Sequence, residues 1–116
     1  MKAGGISIHA VDVAQGRPAQ GLRVEVHALE PERRLVAEGR LGSNGLLDHP
    51  IASGDGVAFG PYEAVFHIGA YLAAAGFRDA AFLNVVPFRF VVARPEEHYH
   101  LPLKFTPFGF SLFRGF

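Results

Sequence analysis

Apolar and polar residues alternate with period two over Ile6-Ser7-Ile8-His9-Ala10-Val11-Asp12-Val13, and again over Leu22-Arg23-Val24-Glu25-Val26-His27-Ala28-Leu29. Successive side chains of a strand point to opposite faces, so each run predicts a strand with one buried face. The intervening Ala14-Gln15-Gly16-Arg17-Pro18-Ala19-Gln20-Gly21 carries the Gly and Pro of a connection and is expected as a surface loop. Residues 35–41 are a third strand candidate, closed by the turn residues Gly42-Ser43-Asn44-Gly45. Residues 48–61 are rich in Gly and Pro and are expected to be mostly loop, followed by a strand over 62–68. One short helix interrupts the strands. Ala70-Tyr71-Leu72-Ala73-Ala74-Ala75 consists of good helix formers stopped by Gly76, and two turns need packing onto a sheet, supplied by Tyr71 and Leu72. Residues 82–93 form a long apolar stretch containing Arg89, and 99–105 with 110–113 read as a final strand pair joined at Thr106-Pro107-Phe108-Gly109. Pro87 and Pro102 lack a ladder donor and must take edge, terminal or bulged positions. Seven or eight short strands at this spacing predict an all-β, two-sheet sandwich.

Composition narrows the function. With 116 residues, 49% hydrophobic and 19% charged, residues 1–116 are expected as one domain with its own core. The absence of cysteine excludes thiolate nucleophiles, cysteine zinc sites and iron–sulfur clusters, and fits a reducing compartment. Eleven Lys and Arg against eleven Asp and Glu leave no basic footprint for nucleic acid or an anionic membrane. Residues 1–7 lack the apolar run of a secretory signal and no window approaches about 18 apolar residues, so a cytoplasmic protein is expected. Eleven Phe in a chain of zero formal charge must be buried, in a core or between subunits, which makes self-association an expectation.

His98-Tyr99-His100 is the most suggestive local feature, because period two in a strand projects both imidazoles to one face. An exposed strand carrying polar residues on its solvent side accounts for the same tripeptide. A zinc site needs a third ligand, and His9, His27, His49 and His67 are available without spacing choosing among them, so no metal site is assigned. His9 lies in a strand whose other face is apolar. Arg114, near the end in Phe113-Arg114-Gly115-Phe116, could pair with the terminal carboxylate, a neighbouring subunit or a ligand carbonyl, or be a solvated tail residue. No serine stands in a nucleophile-elbow context and no phosphate-binding glycine motif is present.

The chain resembles the transthyretin-like 5-hydroxyisourate hydrolases over nearly its whole length. The resemblance is carried by Ile6-Ser7-Ile8-His9-Ala10-Val11-Asp12 with Gly16-Arg17-Pro18-Ala19 and Gly21, by Asn44-Gly45 with Asp48 and Pro50, and by Gly69-Ala70-Tyr71 with Gly76. It is most specific from Val86-Pro87 through Pro95, His98-Tyr99-His100, Pro102-Leu103, Pro107-Phe108-Gly109-Phe110-Ser111 and Arg114-Gly115. It implies a transthyretin-like β-sandwich of two four-stranded sheets with one short α-helix. It also implies a homotetramer, a dimer of dimers, whose central channel holds the active sites. Members add water at a carbonyl of 5-hydroxyisourate and open its ring, in urate catabolism, without metal or organic cofactor. Carried over by position, His9 and His100 are the catalytic histidines, His98 supports them, and Arg114 is the tail arginine. A neutral imidazole can take a proton from attacking water, and a second can orient that water or return a proton to the leaving nitrogen.

Two departures alter that picture. The family's arginine directly follows the mid-chain glycine, but Gly45 is followed by Leu46. Phe113 and Phe116 stand where the family has Tyr and Ser, so the terminal hydroxyl is absent. Losing one donor to a developing oxyanion costs about 3 to 4 kcal/mol of transition-state stabilisation. Three outcomes are open. His49, Arg40 or Arg114 restores the positive charge and the original hydrolysis survives. Alternatively, the histidines hydrolyse a more apolar cyclic amide or imide held by Leu46 and Phe116. In the third case the chain is a non-catalytic binder of an apolar small molecule.

Overall fold

Eight strands form two four-stranded sheets in a computed structural model that describes residues 3–79 and 82–116. In the first sheet β1 (Ile6–Asp12) lies between β2 (Arg17–Pro18) and β7 (Tyr99–Thr106), and β8 (Gly109–Leu112) flanks β7. The second runs β4 (Arg34–Arg40), β3 (Arg23–Ala28), β5 (Gly60–His67), β6 (Val85–Val92). Every pairing is antiparallel except β1 with β7, which is parallel from Ile6↔Tyr99 to Asp12↔Phe105.

The alternation read along the chain becomes the core. Ile6, Ile8 and Ala10 of β1 and Tyr99, Leu101, Leu103 and Phe105 of β7 are buried, and they meet Val24, Val26, Tyr62, Ala64 and Phe66 of the second sheet. The intervening Ser7, His9 and His100 stay partly exposed on the outer face. The helix α1 (Ile68–Ala74) begins two residues before the expected start because buried Ile68 joins Tyr71 and Leu72 in packing it down.

Tyr71 fixes the helix to β1. Its ring meets Phe105 edge-on at 5.6 Å, and its hydroxyl donates to Asp12 Oδ2 at 2.9 Å. Asp12 is fully buried and its Oδ1 accepts from the Gln15 N–H at 3.0 Å, so both carboxylate oxygens are used. Burial, with the adjacent Asp12 acting in the same direction, pushes the Tyr71 hydroxyl above its ordinary range and keeps it a donor.

Three segments differ from expectation. Within the loop after β1, Arg17 and Pro18 pair with Asp12 and Val11 to make the short edge strand β2. Within residues 48–61, Pro50–Ser53 form a 3-10 turn capped by His49. Pro87 lies on the edge strand β6, as required, but Pro102 lies in β7, an interior strand. The Tyr99 N–H points toward β1, donating to Gly5, so alternation turns the Pro102 nitrogen toward β8. There the ladder is interrupted, since β8 pairing starts at Leu103↔Leu112 and the next contact is the bridge His100↔Gly115. Among the described residues, no helix is long and apolar enough to cross a membrane.

Tyr71→Phe is expected to leave Asp12 Oδ2 buried without its partner and to lower unfolding free energy by about 1 to 3 kcal/mol. Urea denaturation measures this, and an unchanged midpoint would show that the hydroxyl contributes nothing.

Candidate active site

Period two on two neighbouring parallel strands places Ser7 and His9 of β1 on one outer face with His98, just before β7, and His100 and Pro102 within it. Ser7 is directly opposite His100 and His9 opposite Pro102, so His9 and His100 are diagonal neighbours, roughly 7 to 8 Å apart along such a diagonal.

Two further segments complete the face. The turn at residues 42–47 continues the sheet beside β1 beyond β2. Ala10 N–H donates to Gly45 O at 3.0 Å, Leu47 N–H donates to Ile8 O at 3.1 Å, and Leu46 bridges His9. Gly45 has φ +79°, and a Cβ there would lie 2.7 Å from Ala10 O and 3.0 Å from His9 Nε2, so only glycine fits. On the other side, Gly115 N–H donates to His100 O at 2.7 Å, and a Cβ on Gly115 would meet the imidazole Cδ2 at 2.9 Å. The tail therefore lies flat against His100.

Hydrogen bonds determine which ring nitrogens carry protons. His9 Nε2 is 2.9 Å from Asn44 O. A carbonyl only accepts, so Nε2 is protonated, and in the neutral ring Nδ1 keeps its lone pair. His98 Nδ1 is 2.6 Å from Gly4 O and so carries its proton. Ser7 Oγ is 2.7 Å from both His98 Nε2 and His100 Nδ1. The His100 midpoint is lowered, first by burial and then by the charges of His9 and His98, so the neutral ring is favoured.

The other candidates have different surroundings. His49 accepts the Ile51 N–H through Nδ1 at 3.0 Å and caps the 3-10 turn. Arg40 donates to Gly21 O at 3.2 Å and opens, with Arg17, Arg23 and His67, onto a separate cavity of about 550 Å³. Arg114 donates to Glu97 Oε1 at 3.2 Å and His98 O at 3.0 Å, and its guanidinium lies 4.0 Å over the Tyr99 ring and 4.9 Å from that of Phe116. His27 and His67 both bond Glu25 on the second sheet, away from His9, and hold its carboxyl below the ordinary range, His67 most strongly. Among the described residues no group of three or more His, Asp or Glu side chains is arranged to hold a metal ion. Leu46 is 40% exposed beside His9, and Phe116 is fully exposed.

Three residues of the face were not singled out by sequence pattern. Ser7 bonds two of the imidazoles and Asn44 bonds one, and Lys104 is an exposed cation on the same side of β7, opposite Val11. Period two alone put Ser7 with His9 and Lys104 with His100; the pairing of β1 to β7 was the missing information.

A sequence model of the HIUase/Transthyretin family matches residues 6–115. The chain belongs to this family. It is 44% identical to 5-hydroxyisourate hydrolase 2 of Rhizobium meliloti (strain 1021) over 117 aligned positions, covering 98% of each chain. It is 38% identical to the 5-hydroxyisourate hydrolase of Deinococcus radiodurans, covering 96% of this chain and 95% of that one. Among solved structures it is similar to the Klebsiella pneumoniae 5-hydroxyisourate hydrolase, with TM-score 0.81, 28% identity and full coverage of both chains. It also matches (S)-allantoin synthase, with TM-score 0.90 and 33% identity, across 99% of this chain and 44% of that longer one. The likeness to Sparus aurata transthyretin, TM-score 0.84 at 21% identity, shows the shared sandwich fold.

The folded state binds fewer protons at His100 than the unfolded chain does, because its midpoint is depressed. His100 therefore has no effect on stability well above the ordinary imidazole value, and removes stability as pH falls through that value toward its own lower midpoint. An NMR titration is expected to give a His100 midpoint below about 6.5 that rises in His9→Gln, which deletes the imidazole charge on β1. A midpoint above that value would contradict the buried, neutral ring.

Proposed function

We propose that this chain hydrolyses 5-hydroxyisourate, with His100 as the general base and His9 as its partner. The observation that supports it best is the pair of imidazoles on one face, each bonded through one nitrogen and open at the other. His100 Nε2 accepts a proton as water attacks a ring carbonyl, and oxygen bonds to carbon. The C–N bond then breaks, and an imidazolium returns the proton to the leaving nitrogen, so neither metal nor organic cofactor is required. This is general acid–base catalysis, worth about 10² to 10⁴ in rate. The family relationship to proteins named 5-hydroxyisourate hydrolase supports the substrate.

The cation that the family places after the mid-chain glycine is replaced here by Leu46. Lys104 takes its part in this proposal. It lies on the imidazole face two residues beyond Pro102 on β7, opposite Val11, and its flexible ammonium can reach a substrate carbonyl. His98 orders the site, Arg114 holds the tail against Glu97 and Tyr99, and Leu46 and Phe116 offer apolar contact to the substrate rim. His49 shapes the adjoining turn.

The exposed site face and the unpaired outer edges of β6 and β8 fit a homotetramer, a dimer of dimers, enclosing the site in a channel. A cytoplasmic location is part of the same proposal, in keeping with the absence of cysteine. Exposed Leu46 and Phe116 favour one second possibility, a cyclic amide or imide with an apolar substituent. A non-catalytic binder would instead hold apolar ligands equally well after His100→Ala.

Purified protein is expected to consume freshly generated 5-hydroxyisourate faster than buffer does, and His100→Ala to lose at least about a hundredfold of that rate. The rate should climb with pH along an acid limb centred below about 6.5, because His100 must be neutral to act. Turnover equal to buffer would end the proposal. Lys104→Met is expected to lower kcat/KM roughly a hundredfold, and Leu46→Arg in that background to restore it. Light scattering should give about four times the 12.5 kDa chain mass.

A further inference from the structure

His100 can act as a base through Nε2 only in the tautomer protonated at Nδ1, and the fold contains a chain of groups that selects it. We infer that Ser7 and His98 form a hydrogen-bonded relay, anchored on the Gly4 carbonyl, that fixes the tautomer of His100 and leaves its Nε2 lone pair open. This inference rests on the hydrolase proposal for its catalytic meaning but on geometry alone for its existence.

Proton counting makes the direction unique for neutral rings. Gly4 O accepts from His98 Nδ1–H at 2.6 Å, so His98 Nε2 has a lone pair. Ser7 Oγ has a single proton and two imidazole nitrogens 2.7 Å away. Since His98 Nε2 can only accept, Ser7 O–H donates to it. Ser7 Oγ then accepts from His100 Nδ1–H, and Nε2 of His100 is left unprotonated. The same line can move charge. After His100 Nε2 takes a proton from water, the Nδ1 proton passes to Ser7 Oγ as the Ser7 proton passes to His98 Nε2. Ser7 is regenerated, His100 is neutral and protonated at Nε2, and the exposed His98 holds the positive charge at the edge of the site. The titratable groups acting on His100 are His98, just before its own strand, and His9 on β1, both cationic when protonated, so neither supplies the carboxylate that would otherwise orient the ring.

Ser7 and His98 are thus positioning residues, and ring tautomers provide a readout independent of turnover. Long-range ¹H–¹⁵N spectra of the labelled protein at a pH where His100 is neutral are expected to show it protonated at Nδ1. Ser7→Ala should shift it toward protonation at Nε2, and Ser7→Thr, which keeps the hydroxyl in a strand, should restore Nδ1. In turnover, Ser7→Ala should lower kcat by roughly 10- to 100-fold, a part of the acid–base contribution, with KM changed less than about twofold, and Ser7→Thr should recover most of it. A His100 ring protonated at Nε2 in the unmodified protein, or unmoved by Ser7→Ala, overturns the relay. Absence of 5-hydroxyisourate turnover in the unmodified protein overturns the hydrolase proposal instead, while the spectra still decide the relay.

Discussion

Seven consecutive register pairs hold β1 against β7 in parallel, from Ile6 opposite Tyr99 to Asp12 opposite Phe105. A parallel neighbour cannot be reached by a tight hairpin, and here the whole of the second sheet, with α1, is threaded between the two strands. The pairing fixes two things together. It sends Ile6, Ile8, Leu101 and Leu103 into the core, and by the same period-two geometry it sends Ser7, His9, His98 and His100 outward. A slip of one residue would invert both faces, burying imidazoles and exposing isoleucines. Burial of the core thus sets the alignment of the site, at no separate energetic cost.

Around this pairing the site is shaped by backbone close to side chain. Gly45 and Gly115 let the 42–47 turn and the tail approach His9 and His100 to distances at which any Cβ would collide. Carbonyls of Asn44 and Gly4 then impose the ring tautomers, because an acceptor with no proton removes the choice. Carboxylates are kept elsewhere. Asp12 is used by Tyr71 and Gln15, Glu25 by His27 and His67, and Glu63 by Arg89 and Arg33, which hold its carboxyl below the ordinary range with Arg89 the stronger influence. An imidazole with no carboxylate partner and some burial remains neutral near pH 7, the state a base needs.

Leu46 and Phe116 are apolar at positions where the resemblance described above implies polar groups, beside the imidazoles of His9 and His100. Arg114 has a structural task. Its guanidinium joins Glu97, the His98 carbonyl and the Tyr99 ring, and so holds the segment before β7 and the tail together. Lys104 is an exposed cation on the imidazole side of β7, a flexible point charge where a guanidinium would present a rigid fork.

Local alternation in the sequence was sufficient to determine most elements. Burial with period two at residues 6–12 and 23–28, the turn at Asn44-Gly45 and the helix ended by Gly76 are all local features, and a strand or helix face depends on nearest neighbours. The short β2, the 3-10 turn capped by His49 and the placement of Pro102 were not legible, since each depends on what lies across from it. The same holds for the site. Residues His9 and His100 could be named from their resemblance to a family, but the bonds of Ser7 to two imidazoles, the commitment of His49 and Arg114 elsewhere and the position of Lys104 came only from tertiary structure. A hydrogen bond between residues some ninety positions apart leaves no periodic trace along the chain, because strand pairing, not sequence spacing, sets the distance between them.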